Sequence, residues 1–244
     1  MRRQTGYLFV ISHMRSYSTL LTHILGSHPE IDGYAEQLRA YESRYDLSAM
    51  GPRIEQNTGE RRKGRWLLDK ILHNEGTMSD DVIRTPELRL LLLVRDPVTT
   101  IPSVVKVARE QANSPENIAT TPEGAVSYYI DRLAGIVATG ARAGSRALFV
   151  ASESLVDDTD AALARIARWL GLASPLEPRY RTFPLTGAPG LGDPSPNIRT
   201  GRVLADPERE AGSGERIRID PAVLAPAIAA HREAVALLRA RHPG

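Results

Sequence analysis

The chain has 244 residues, of which 42% are hydrophobic, enough to bury one sizeable core. It has no cysteine, which excludes a disulfide scaffold, thiolate metal sites and a cysteine nucleophile, and fits a reducing compartment. The net charge of +2 is too mild to point to nucleic acid. Of the 31 basic residues only Lys63, Lys70 and Lys106 are lysines, so Lys70 stands out in a chain that otherwise uses arginine.

Met1-Arg2-Arg3 ahead of an apolar run has the outline of a signal peptide. The run Tyr7 to Ile11 is too short for one, however, and His13 and Arg15 close it. No run of about 18 apolar residues occurs, so a cytoplasmic protein without a membrane span is expected. Tyr7 to Ile11 is instead a strand of the kind buried on both faces. Ser18 to Leu25 reads as a helix stopped by Gly26 and His28-Pro29. Residues 39–65 are charged and irregular and read as a solvated loop. Trp66 to Lys70 is a second strand and Leu88 to Val94 a third, after which Pro97 opens a helix to about Arg109. Asn113 to Gly124 is loop by composition, and Ala125 to Arg142 carries apolar residues at helical spacing. Arg146 to Val150 is a fourth strand, and Asp160 to Leu170 a helix closed by Gly171. Pro184 to Gly214 is rich in Gly and Pro and long for a structureless connection, and Pro221 to Arg239 is a closing amphipathic helix. Strands alternating with helices predict an α/β fold, a central mostly parallel sheet flanked by helices, in a single domain 1–244.

Two strand ends suit an anion. In "ISHMRSYSTLLTHILG" the chain leaves a strand, passes Arg15, Ser16, Ser18 and Thr19, and opens a helix whose first N–H groups lack partners. The Walker pattern is absent, with no Gly in 12–19 and no Lys, which argues against a nucleotide kinase. Taken alone, the stretch also reads as a merely capped helix. In "LLLLVRDPVTTIPSVV" Arg95 stands at the carboxyl end of a buried strand, where ligands of open α/β sheets sit. Ser103, eight residues on, is about two helical turns into the next helix.

Three segments resemble one family in the expected order. "SHMRSYSTLLTHILGSHPEI" resembles the 5′-phosphosulfate loop of sulfotransferases, whose bacterial and carbohydrate-directed members read roughly P-R-S-G-S-T-L-L followed by H-P. "VRDPVTTIPSVV" resembles their 3′-phosphate motif, and "FVASESLVDDTDAALARIARWLGL" a later family segment. The resemblance covers about two-thirds of the chain and lies nearer this branch than the cytosolic aryl type. It implies a P-loop-like architecture and transfer of a sulfuryl group from 3′-phosphoadenosine-5′-phosphosulfate (PAPS, leaving PAP) to a hydroxyl of a small molecule or glycan, without a metal. Carried over by position, Arg15, Ser16, Tyr17, Ser18 and Thr19 would hold the 5′-phosphosulfate, and Arg95 with Ser103 the 3′-phosphate. Met14 replaces the usual Pro and Tyr17 the usual Gly.

In-line sulfuryl transfer needs a base for the acceptor proton and cations over the spreading charge. Glu36 sits where carbohydrate-type relatives use a Glu, while His73 follows a strand end bearing Lys70, as in the Lys-x-His of cytosolic relatives but one residue farther on. His73 is the favoured base, Glu36 the alternative or its orienting partner, with Arg15 and Lys70 near the sulfate. "TGAPGLGDPSPNIRTGRV" resembles a late loop that closes over the nucleotide, which makes residues 184–214 a candidate lid and Arg199, Thr200, Gly201 and Arg202 candidate 3′-phosphate contacts. Segments 34–65, 106–130 and 184–200 are expected to build the acceptor pocket, where Tyr34, Tyr41, Tyr45, Tyr128 and Tyr129 are candidates for stacking on a ring. The alternative readings are a non-catalytic sulfonucleotide- or nucleotide-binding module and, behind it, a P-loop nucleotide kinase.

Overall fold

The computed structural model describes residues 5–74, 76–110, 118–188, 193, 195–205, 208 and 217–243. Its centre is a five-stranded, wholly parallel sheet made of β1 (Gly6–Ile11), β2 (Ile31–Asp32), β3 (Trp66–Ile71), β4 (Leu88–Val94) and β5 (Ala147–Ala151), in the order β2-β3-β1-β4-β5. The chain runs from β1 to one side and returns on the other. The C-terminal end of β1 is therefore the switch point, where crevices open in such sheets.

Strand periodicity sorts the core into two layers. Leu8 and Val10 of β1, Leu91 and Leu93 of β4 and Leu148 and Val150 of β5 face α1 (Ser18–Gly26) and a late helix, Thr159–Leu170. The alternate residues Phe9, Ile11, Leu90, Leu92 and Phe149 face the opposite layer. That layer holds the helices Pro97–Glu110, Pro122–Ala143 and Pro221–Arg241. In chain order the helices are α1, α2 (Arg44–Ser48), α3 (Met50–Thr58), α4 (Asp80–Ile83), α5 (Pro97–Glu110), α6 (Pro122–Ala143), α7 (Ser154–Asp157), α8 (Thr159–Leu170) and α9 (Pro221–Arg241). A fully buried Leu such as Leu92 contributes about 2 kcal/mol relative to exposure, which is why these near-continuous apolar runs occupy the middle of the sheet.

Residues 39–65 are not a plain solvated loop, because α2 and α3 lie within them. Leu47, Met50 and Ile54 are buried at helical spacing, and the Asp46 carboxylate accepts the Ser43 N–H at 3.0 Å to start the turn. Helix α6 likewise begins before the expected loop ends. Thr121 accepts the Gly124 N–H at 3.1 Å and Pro122 takes the first helical position. By length and composition α9 is apolar enough to cross a bilayer, where no such segment was expected. In the fold its Leu224, Ala227, Ala234 and Leu238 are buried in the core layer shared with α6. The expected loop 113–124 and the candidate lid 184–214 lie partly outside the described residues.

Candidate active site at the strand ends

Three strand-end loops meet above β1. The first joins β1 to α1, and in it Arg15 and Tyr17 take left-handed backbone conformations, φ 62° and 63°. Ser12 Oγ donates to the Leu93 carbonyl at 2.7 Å and Ser16 Oγ to the His13 carbonyl at 2.7 Å, so these hydroxyls are turned inward to brace the loop. Ser16 is accordingly a structural residue by its side chain, although it lines the cavity described below. The His13 ring is fully buried, with Nδ1 2.9 Å from the Met14 carbonyl and Nε2 accepting the Arg95 N–H at 3.0 Å. Burial, helped by the charges of Arg95 and Arg132, lowers its pKa to about 3, against the hydrogen bond to Met14. A neutral imidazole thus ties the first loop to the second.

The second loop carries Arg95 from β4 into α5. The Arg95 guanidinium lies 4.1 Å over the Tyr17 ring, and its Nη1 donates to the Arg15 carbonyl at 2.9 Å. Asp96 starts α5, and its own N–H is accepted by Glu153 at 2.8 Å, which gives the acidic residue of the "SESL" segment a bracing role. Arg15 Nε donates to Ser103 Oγ at 2.9 Å, so the residues proposed for the two phosphate subsites are joined directly. Arg15 Nη1 in turn donates to Asp193 Oδ1 at 2.9 Å. Burial pushes the Asp193 carboxyl up, but the Arg15 charge and hydrogen bonds from Arg15 and Ser195 outweigh it and hold the group below its usual range.

The third loop follows β3. Lys70, paired in register with Val10, is 1% exposed, and its Nζ donates to Thr19 Oγ1 at 3.0 Å. Glu36 stands between two bases, with Oε2 4.0 Å from Lys70 Nζ and Oε1 4.0 Å from His73 Nε2. Burial lowers the Lys70 pKa, against the charges of Glu36 and Asp69. Asp69 accepts the Tyr41 hydroxyl at 2.5 Å and the Gln37 N–H at 3.0 Å, and so fixes the turn that carries Glu36.

A cavity of about 1290 Å³ is lined by residues 15–19, Glu36, His73, Arg95, Ser103, Asp193 and Arg202. A second, of about 320 Å³, lies on the Lys70 side and shares Glu36 and His73 with the first. The fold therefore gathers Arg15 to Thr19, Arg95, Ser103, Glu36, Lys70 and His73. It does not bring Arg199, Thr200 or Gly201 into either cavity. Arg199 donates to the Gly187 carbonyl at 3.3 Å and Thr200 to the Asn197 carbonyl at 2.7 Å. Arg202 lines the larger cavity while paired with Glu208 at 2.7 Å. Asp193, Asp69 and Arg132 were not singled out from sequence, because an acidic residue in a Gly/Pro-rich stretch and a basic one on a helix look like surface charges until the fold buries them. Tyr128 and Tyr129, taken as ring-stacking candidates, instead hold loop backbone: the Tyr128 hydroxyl accepts the Met14 N–H and the Tyr129 hydroxyl donates to the Arg95 carbonyl. Among the described residues no group of three or more His, Cys, Asp or Glu is placed to hold a metal ion.

Residues 45–176 match a family model described as "Sulfotransferase family". No curated protein sequence matches the chain. Among solved structures, the sulfotransferase domain of the Synechococcus PCC 7002 olefin synthase superposes with a TM-score of 0.64 at 19% identity over 96% of each chain. The sulfotransferase domain from the curacin biosynthetic pathway gives 0.59 at 15% identity, covering 92% of this chain and 97% of that one. A sulfotransferase from Alicyclobacillus acidocaldarius gives 0.50 at 13%, covering 97% and 95%. At these identities the superpositions establish a shared fold. The matched stretch carries Lys70, His73, Arg95 and Ser103 on that fold, and the chain belongs to the sulfotransferase family of enzymes.

Proposed function

We propose that the protein transfers a sulfuryl group from PAPS to the hydroxyl of a small, largely apolar molecule, with His73 as general base. One observation carries this reading: Thr19, Lys70, Glu36 and His73 follow one another from the anion-binding loop to the base, joined by a 3.0 Å hydrogen bond and two 4.0 Å approaches between oppositely polar groups. A base works only near the reacting group, and these contacts support His73 in that place, on the side of the anion-binding loop.

Arg15 and the N–H groups opening α1 suit the 5′-phosphosulfate, because they offer a guanidinium fork and unpaired helix donors. Arg95 and Ser103 suit the 3′-phosphate. As the acceptor oxygen bonds to sulfur, its proton passes to His73. Nε2 faces Glu36, so Nδ1 is the nitrogen that takes the proton, and the Glu36 carboxylate stabilises the resulting imidazolium. Arg15 meets the negative charge that gathers on the departing phosphate. Lys70 lies beneath the loop and offsets the Glu36 charge.

The larger cavity also has apolar walls, among them Leu72, Val104, Ala108, Ala119 and Leu224. Of the tyrosines considered for stacking on a sugar, Tyr34 and Tyr41 are buried in the core, Tyr128 and Tyr129 hold backbone, and the exposed Tyr45 does not line the cavity. Both points favour an apolar alcohol over a glycan. Calorimetry with PAP tests the donor site. Micromolar binding is expected in the wild type, weakened about 10- to 100-fold by Arg15→Ala and by Arg95→Ala, as for lost charge-assisted hydrogen bonds. Radiolabelled transfer from PAPS to a panel of apolar alcohols and sugars, with His73→Ala and Glu36→Gln, tests the base and the acceptor. A folded wild type that does not bind PAP would refute the reading.

A further inference from the structure

Helix α6 is not among the strand-end loops, yet one face of it touches all three. The Tyr128 hydroxyl accepts the Met14 N–H at 2.8 Å and donates to the Leu72 carbonyl at 2.8 Å. Met14 immediately precedes Arg15, and Leu72 immediately precedes His73. One turn on, where i and i+4 share a face, Arg132 repeats the same bridge nearer the sheet. Its Nε donates to the Ser12 carbonyl and its Nη2 to the Ile71 carbonyl, both at 2.6 Å. Tyr129 donates to the Arg95 carbonyl at 2.6 Å.

We propose that Tyr128 is a positioning residue whose hydroxyl sets the separation between the donor-binding loop and His73, and carries the effect of donor binding from one to the other. The inference rests on the sulfotransfer reading given above. It follows from the inventory of the phenol group. A single O–H can donate once while its oxygen accepts, so the one atom ties a backbone donor in the first loop to a backbone acceptor in the third. Packing does not call for this atom. Tyr128 is half-buried, and Phe would fill the same space while leaving both backbone groups without it. Arg132 holds the roots of the two loops, at Ser12 and Ile71, so the strand ends stay together without Tyr128. What the hydroxyl adds is the placement of the next residues, Arg15 and His73. Anything that tightens Met14 is then felt at Leu72.

The test is amide hydrogen exchange in residues 12–17 and 71–74, with and without PAP, alongside calorimetry and thermal unfolding. In the wild type PAP is expected to slow exchange in both segments. Tyr128→Phe should bind PAP within about threefold of the wild type and still slow 12–17, but no longer slow 71–74. Tyr129→Phe, a substitution of the same size on the same helix, breaks only the link to Arg95 and should leave the slowing at 71–74 in place. The proposal is overturned if Tyr128→Phe transmits slowing to 71–74 as the wild type does, or if PAP binds the wild type without slowing 71–74. It is also overturned if Tyr128→Phe does not fold, since the hydroxyl would then serve the fold and not the coupling. Failure of the wild type to bind PAP at all would instead remove the sulfotransfer reading beneath it, and calorimetry separates the two cases.

Discussion

Arg15 and Asp193 form an ion pair, Nη1 to Oδ1 at 2.9 Å, inside the cavity where an anionic donor is proposed to bind. The carboxylate occupies part of the guanidinium fork, so an incoming phosphosulfate and Asp193 compete for the same donors. Both side chains are partly exposed, 22% and 26%, so the pair is worth no more than about 1 kcal/mol. Asp193→Asn is therefore expected to tighten PAP binding by up to about fivefold in calorimetry at neutral pH. A weaker affinity would mean that the carboxylate aligns Arg15 for its ligand and does not compete for it.

Tyr17 holds φ 63°, a conformation that costs a non-glycine residue roughly 1–2 kcal/mol, with its ring beneath the Arg95 guanidinium. The cation–π contact offsets about 0.5–2 kcal/mol of this, which is how a Tyr is tolerated in a backbone conformation that favours Gly. Tyr17→Ala keeps the strain and loses the ring, whereas Tyr17→Gly loses both. Urea unfolding should therefore rank the Ala variant below the Gly variant by about 1 kcal/mol. Equal stabilities would show that the backbone strain is relieved in the variants.

Asp69 is pushed up from 3.8 to about 7, chiefly by burial, against hydrogen bonds from the Tyr41 hydroxyl and the Gln37 and Lys70 N–H groups, with the Glu36 charge adding to the rise. The folded protein thus keeps a proton that the unfolded chain releases. Its contribution is full below about pH 4 and is lost as pH rises through about 7. Asp69→Asn has no proton to lose. The melting temperature of the wild type, measured against this variant, should fall steadily from pH 4 to pH 7 and then level off. A difference that does not change with pH over that window would place the Asp69 titration elsewhere.

Much of the frame was legible in the chain. Runs such as Leu90 to Val94 are apolar at every position because both faces of a parallel strand are buried, and Pro97 and Gly171 mark a helix start and a helix end by their backbone geometry alone. Helices α2 and α3 were missed because only Leu47, Met50 and Ile54 carry the helical spacing, within a stretch dominated by charge and broken by Gly51-Pro52. The start of α6 was missed because Thr121-Pro122 reads as loop chemistry when its capping role is not weighed.

The site divides along the same line. Arg15 to Thr19, Arg95, Ser103, Lys70, His73 and Glu36 could be named from sequence because each sits at a strand end or in a motif, and residue type with position along the chain is local information. Which of them touch is not local. Lys70 reaches Thr19 across 51 positions, Arg15 meets Asp193 across 178, and Tyr128 spans from Met14 to Leu72. Partners of this kind are set by sheet order and helix placement, which no window of residues contains. The sequence by itself determined the layered α/β frame and marked the candidate residues at its strand ends. The tertiary structure alone decided which charge faces which, what burial does to Asp69 and His13, and that a helix outside the motifs holds the site together.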